Sequence, residues 1–285
     1  SVPSFSAITY LGAVNPKVSQ DLTKIAYGVP LSKEKQSSAD IVEKSGLWVM
    51  EIVDLPFGFR REPRQITDGD ISKANWAWSP DSREILLTLS ESVYLLDSTT
   101  FTPQAKRVNV NSKKAEIMAK WQLAKDRKLT SQLARLPEEL SDIFTRKAQN
   151  IEFSPDENKI LYSATSGAQL PSGTIKPLPG SSTQREEREL KEGSIYVFDI
   201  KEDRNFKIAE SPTNVVWFPT SAHLIIPEKD KITIVDYDGT NRQVIFSGSY
   251  QAPDVVPLPN GSRLIFVTNL GSNTNPPNLY ALSLK

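Results

Sequence analysis

The 285-residue chain contains no cysteine, which excludes disulfides, thiol catalysis and thiolate metal sites and fits any redox compartment. It contains one histidine, His223, too few for a histidine-based metal site. A Ser-His-Asp hydrolase would need that imidazole as its base, yet it lies in the strand-like run Ser221-Ala-His-Leu-Ile-Ile226. No Gly-x-Ser-x-Gly elbow accompanies it, so His223 reads as a structural residue. Neither charge sign is in excess, with 34 Lys/Arg against 34 Asp/Glu, which argues against nucleic acid as a partner. No apolar run approaches the roughly 18 residues that span a bilayer, so membrane insertion by this segment is not expected. Asp236-Tyr-Asp238-Gly lacks the remaining carboxylates of a calcium loop and reads as a hairpin turn. No metal or cofactor is expected. The chain opens Ser1-Val-Pro-Ser, without a methionine or a basic-then-apolar leader, and reads as a processed or excised piece.

What the chain does hold is one phrase written several times: an apolar run, a Ser/Pro/Asp-type turn, and a second apolar run. The clearest copies are Asn75-Trp-Ala-Trp-Ser-Pro-Asp-Ser-Arg-Glu-Ile-Leu-Leu and Asn150-Ile-Glu-Phe-Ser-Pro-Asp-Glu-Asn-Lys-Ile-Leu-Tyr. Looser copies begin at Val215 and Val255, and a weaker one at Pro16. A hairpin recurring at intervals of 40 residues or more, each copy unable to bury its own faces, is how a β-propeller is written. The expected fold is therefore all-β, a five-bladed propeller forming a single domain over 1–285.

The blades fall at about 12–68, 72–110, 149–210, 213–248 and 252–285. With the strands of a blade lettered a to d, the fourth copy shows the plain unit, with a near 215–218, b near 224–227, c near 231–236 and d near 243–247. The fifth blade lacks a d strand, while residues 4–11 are surplus at the front. Because an open sheet edge invites aggregation, residues 4–11 are expected to pair beside 278–284 and close the ring. The alternative is a sixth blade lying outside this sequence.

The a–b turns begin near 19, 79, 154, 219 and 259, so extra residues sit in the first three intervals. They fall at 31–45, at 111–148 and at 165–193, the last rich in Pro, Gly, Ser and Gln and expected to be mobile. All belong to b–c or d–a connections, as does 269–277, so one face is elaborated and the other is mostly clipped short apart from 54–64. Function generally sits on the loops that a rigid scaffold presents.

The middle insertion, 112–148, reads as a helical hairpin between blades two and three. Ser112 can cap it, Ile117, Trp121, Ala124 and, after a shift, Leu129, Leu133 and Leu136 recur at helical spacing, and Pro137 opens a second helix with Leu140, Ile143 and Phe144 as its stripe. Trp121 either packs on the propeller or, with a mildly basic face, meets a partner.

Carboxylates converging from the starts of the a strands would mark a sugar-cleaving propeller. The residues found there are Asn15, Asn75, Asn150, Asn214 and Asp254, with Glu152 further along. Amides can bind polar ligands but cannot transfer protons, and Asn is also an ordinary turn residue.

The Ser-Pro-Asp phrases, each followed by an apolar strand ending in Asp97 or Asp199, resemble the repeats of TolB-like β-propellers, as does Ile232-Thr-Ile-Val-Asp-Tyr-Asp-Gly-Thr-Asn-Arg242. The whole arrangement is also similar to propellers that follow PEGA-type domains in membrane-anchored bacterial surface proteins. That resemblance implies an exported envelope protein, extracytoplasmic and anchored through a segment outside this sequence. The family carries no universal catalytic residues. The reading is a monomeric, non-catalytic scaffold that binds a protein or cell-envelope polymer on its elaborated face. The alternative is a carbohydrate-binding or carbohydrate-active propeller working at the central channel.

Overall fold

The computed structural model describes residues 4–31, 44–53, 62–176, 184–211, 213–272 and 276–284. Much of the expected loops at 31–45 and 54–64, residues 177–183 of the third insertion and 273–275 of the last loop lie outside the described residues. The chain divides into two compact units, residues 1–125 with 248–285, and residues 126–247.

The elements run in chain order. The chain opens with β1 (Phe5–Ala7). Sheet one is β2 (Val14–Val18), β3 (Lys24–Val29), β4 (Gly46–Glu51) and β5 (Arg64–Asp68). Sheet two is β6 (Ala74–Trp78), β7 (Glu84–Leu89) and β8 (Ser92–Asp97). Two helices follow, α1 (Lys114–Leu133) and α2 (Glu138–Lys147). Sheet three is β9 (Ala148–Phe153), β10 (Lys159–Ala164), β13 (Ile195–Asp199) and β14 (Arg204–Ala209), with a side ladder of β11 (Ala168–Gln169) and β12 (Glu189–Leu190). Sheet four is β15 (Val216–Trp217), β16 (His223–Glu228), β17 (Lys231–Asp236) and β18 (Gln243–Ser247). Sheet five is β19 (Val255–Pro257), β20 (Arg263–Thr268) and β21 (Asn278–Ser283), with β1 as its outer strand.

The opening strand thus lies beside the last, with Phe5 opposite Leu282 and Ala7 opposite Tyr280. Phe5 stacks on Tyr280 at 4.9 Å. Sheet two has three strands, and the fourth expected there is reduced to a single bridge between Tyr94 and Asn109. Asn109 also accepts the Val93 and Asn111 amides, so it orders the approach to α1 in place of the expected cap Ser112.

One turn joins the first two strands of every sheet. The amide of its first residue (Ser19, Ser79, Ser154, Phe218 or Leu258) donates to the carbonyl five residues on, at 2.8–3.0 Å. The fourth residue (Leu22, Ser82, Glu157, Ser221 or Gly261) has φ between 56° and 67° and donates back to the first carbonyl. The register puts Phe218 and Leu258, one residue earlier than the expected 219 and 259, where the other sheets carry serine. In the three Ser-x-Asp turns the serine hydroxyl donates to the aspartate at 2.6 Å and accepts the amide five residues on. The turn sequence therefore supplies its own closing bonds.

These bonds hold the aspartates ionised. Burial pushes the Asp156 carboxyl up, but donors from Asn158 and Ser154 outweigh it and leave it at about 2. Asp21 and Asp81 are lowered too. A carboxyl whose folded value is depressed stabilises the fold above its unfolded value of 3.8 and loses that contribution as pH falls toward about 2. Urea unfolding across this window should show Asp156→Asn losing less stability than the wild type. Because the group is solvent-exposed, the difference should be about 1 kcal/mol; equal pH dependence would contradict this role for the turn.

Each unit has its own packing. In the first, one core joins sheets five and one through Ile25, Tyr27, Val256, Ile265 and Leu279, and a second joins sheets one and two through Val49, Ile66, Trp76, Trp78 and Leu87. In the second unit, sheets three and four meet through Val197, Phe206, Trp217 and Leu224. A buried indole reinforces one sheet pair in each unit: Trp78 Nε1 donates to the Lys17 carbonyl at 2.7 Å, and Trp217 Nε1 to the Glu152 carbonyl at 3.2 Å. A serine reinforces the same pairs, since Ser82 accepts the Asp21 amide and Ser221 the Asp156 amide, both at 3.0 Å.

Candidate binding groove

The second helix is amphipathic, its apolar residues recurring every three or four positions, and each stretch of the hairpin buries apolar side chains on the sheet beside it. The first half of α1 covers the face of sheet two that does not meet sheet one. There Trp121, only 8% exposed, packs on Leu86 and Val93. Of the two readings of Trp121, this contact fits the one in which it packs on the sheet. In the second unit, Leu133, Leu136, Leu140 and Phe144 cover the face of sheet three turned away from sheet four, against Ile160, Tyr162, Tyr196 and Phe198.

The hairpin does not perch on the end of sheet three where the d–a connection enters. It runs the length of the sheet, because Gln132 and Arg135 near the end of α1 reach Glu157 in the opposite a–b turn, at 2.9 and 2.5 Å.

Laying the hairpin along the sheet leaves a cleft of about 440 Å³ between α1, α2 and the start of β9. Asp126, Leu129, Thr130 and Leu133 come from α1, Ala134 from the turn after it, Ser141, Phe144 and Thr145 from α2, and Ala148 to Ile151 from β9. Leu133 and Phe144 are buried and form the floor, while Thr130, Ala134, Gln149 and Asn150 are exposed at the rim. Thr145 turns its hydroxyl back to the Ser141 carbonyl at 2.7 Å. An apolar floor under hydroxyls and amides suits an apolar side chain whose polar attachments stay hydrated or hydrogen-bonded.

Of the polar residues expected to bind, only Asn150 lines this cleft. It shares with Asn15 a backbone reason for being asparagine. Both have positive φ, 52° and 48°. Each begins a bulge: between Gln149↔Ser163 and Glu152↔Leu161 two residues face one, and likewise between Val14↔Gly28 and Lys17↔Ala26. Asparagine tolerates the left-handed region better than most residues, so these amides shape the first strand. At Asn75 the side chain accepts the amide of its neighbour Trp76. Asn214 is exposed just before β15. Two of the expected amides thus serve bulges and one serves its own backbone.

Burial pushes the Asp254 carboxyl up against the pull of Lys17. Glu152 keeps solvent contact, yet protein crowds it enough to raise its carboxyl as well. His223 sits across the hairpin from Asp236, its Nε2 3.3 Å from the carboxylate and its ring edge-on to Phe218. The pair fixes the strand ends beside the turn. Among the described residues no group of three or more His, Cys, Asp or Glu is placed to hold a metal ion. Among them, too, no helix is long and apolar enough to cross a membrane.

The described residues thus define a mostly β fold whose five numbered sheets are antiparallel and open on the same turn. The chain matches no family model and no curated protein. It is similar to a solved TolB protein of Agrobacterium tumefaciens, with 13% identity over all of this chain and 78% of that one and a TM-score of 0.31. It is also similar to TolB of Acinetobacter baumannii (13%, 96% and 54%, TM-score 0.29) and to a eukaryotic initiation factor (10%, 94% and 54%, TM-score 0.27). The chain spans about half the length of these last two. The first two are TolB proteins, the family whose repeats the Ser-Pro-Asp phrases resemble.

Proposed function

We propose that the chain is a non-catalytic, five-bladed propeller scaffold, with β1 as the outer strand of the last blade, that binds a protein partner in the groove of its helical insertion. The observation that carries this reading is the cleft itself, an apolar floor with an exposed polar rim, built from α1, α2 and β9. Leu133 and Phe144 are already packed, so a partner's apolar side chain would bury surface there without reopening the core. Such burial contributes roughly 25 cal/mol per Å². The repeat resemblance to TolB-like propellers supports an extracytoplasmic setting, where the partner would be another envelope protein.

The test is a photo-crosslinking residue in the full chain, expressed in its own cell, placed at Thr130 on the groove rim or at Lys201 in the turn between β13 and β14. A discrete protein adduct from Thr130 and none from Lys201 is the expected result. Adducts from Lys201 alone, or from neither position, would overturn the reading.

A further inference from the structure

The groove carries more than an apolar floor, because its charges are unevenly satisfied. Between residues 113 and 147 there are nine Lys/Arg and five Asp/Glu, in a chain that is otherwise close to balanced. Two of these cations are engaged, Arg135 by Glu157 and Arg146 by Asp142. Arg127 forms no ion pair among the described residues, and it is exposed. It immediately follows the lining residue Asp126 on α1. Lys147, also without an ion pair among the described residues, immediately precedes the lining residue Ala148 at the same end of the cleft. Against these two cations the lining itself holds one carboxylate, Asp126.

We infer that the occupant is a short acidic segment of a partner protein, which seats a large apolar side chain on Leu133 and Phe144 and sets neighbouring carboxylates against Arg127 and Lys147. This rests on the groove being the binding site and adds the chemistry of what enters it. A cleft of about 440 Å³ holds one large side chain and its flanking backbone, not a folded domain. Exposed hydroxyl and amide side chains at Thr130, Gln149 and Asn150 can meet that backbone. Guanidinium supplies a planar pair of donors to each carboxylate, which lysine alone would not.

The probes are three fluorescein-labelled hexapeptides: Glu-Leu-Glu-Phe-Glu-Leu, its charge-swapped form Lys-Leu-Lys-Phe-Lys-Leu, and the apolar-deleted Glu-Ser-Glu-Ser-Glu-Ser. Fluorescence polarisation with the full chain should show the first binding at least about tenfold more tightly than either of the others, with affinity falling as salt rises. Ala134→Trp, at an exposed position that tolerates bulk, should fill the cleft and abolish binding, and Thr145→Trp should do so from the other wall. Arg127→Glu should weaken binding by about tenfold and flatten its salt dependence. Equal binding of the charge-swapped peptide, no binding of the acidic one, or undiminished binding by both folded tryptophan variants would each overturn the inference. An adduct at Thr130 to a partner lacking any acidic, apolar segment would overturn it too, while leaving the groove as the binding site.

Discussion

Trp78→Ala and Trp217→Ala should each lower the unfolding free energy by about 3–5 kcal/mol, the range for emptying a buried aromatic site. The two indoles are 4% and 3% exposed. Each stands immediately before the turn of its own sheet and donates to a carbonyl of the preceding sheet, across 61 and 65 residues of chain. Phenylalanine at either position keeps most of the apolar area but leaves the Lys17 or Glu152 carbonyl without its donor, at a cost of about 1–2 kcal/mol. Trp76 supplies the contrast. It is as buried, at 3%, but its Nε1 has no hydrogen-bond partner among the described residues. Trp76→Phe should therefore cost less than Trp78→Phe, since it removes an unsatisfied polar atom. Urea unfolding followed by circular dichroism measures all of these. Equal losses for Trp76→Phe and Trp78→Phe would show that the indole–carbonyl bond does not join the sheets.

Asp203→Ala should cost about 3 kcal/mol, the low end for breaking a buried pair, because it strips a buried carboxylate from a half-buried guanidinium that keeps Glu186. Asp203 is 3% exposed and the Arg188 side chain 11%. The carboxylate lies 3.6 Å from Arg188 and accepts the Gly173 amide at 2.7 Å and the Thr174 hydroxyl at 3.3 Å. Arg188 donates in turn to the carbonyls of Pro171 and Asp203 and pairs with Glu186 at 2.9 Å. Around this clamp Tyr162 donates to Asn205, which holds the Glu187 carbonyl, and Leu170 and Leu190 are buried. Asp203→Asn keeps the acceptor while removing the charge, so it should lose less. Thermal melts and limited proteolysis between 165 and 176 read both effects, and a loss under about 1 kcal/mol for Asp203→Ala would contradict the clamp.

That clamp also shows what the sequence could not display. A Pro-, Gly- and Ser-rich composition makes 165–193 read as mobile, yet its described parts pair through β11 and β12 and tie down on Asp203. Arg188 and Asp203 belong to no repeat, so no spacing announces them. The turns were legible where serine and aspartate write their own bonds. At Pro219 and Pro259, lacking those markers, the proline draws the eye one residue too late. The asparagines at the strand starts were visible as a repeated residue type, but whether an amide serves a ligand or a bulge depends on φ, which no side chain spells out. Ser82 and Ser221 read as turn residues within their own sheets, and their bonds to the preceding sheet need three-dimensional proximity. The helical hairpin was plain from its apolar spacing. The groove was not, because it exists only once Arg135 and Gln132 fasten α1 to Glu157 and lay the hairpin down the sheet.

Amide hydrogen exchange, with and without the partner caught at Thr130, locates the bound surface in the unmodified chain. The account predicts slowed exchange in residues 126–134 and 148–151, with the turn at 258–263 unchanged. Slowed exchange at that turn with the groove amides unaffected would contradict it.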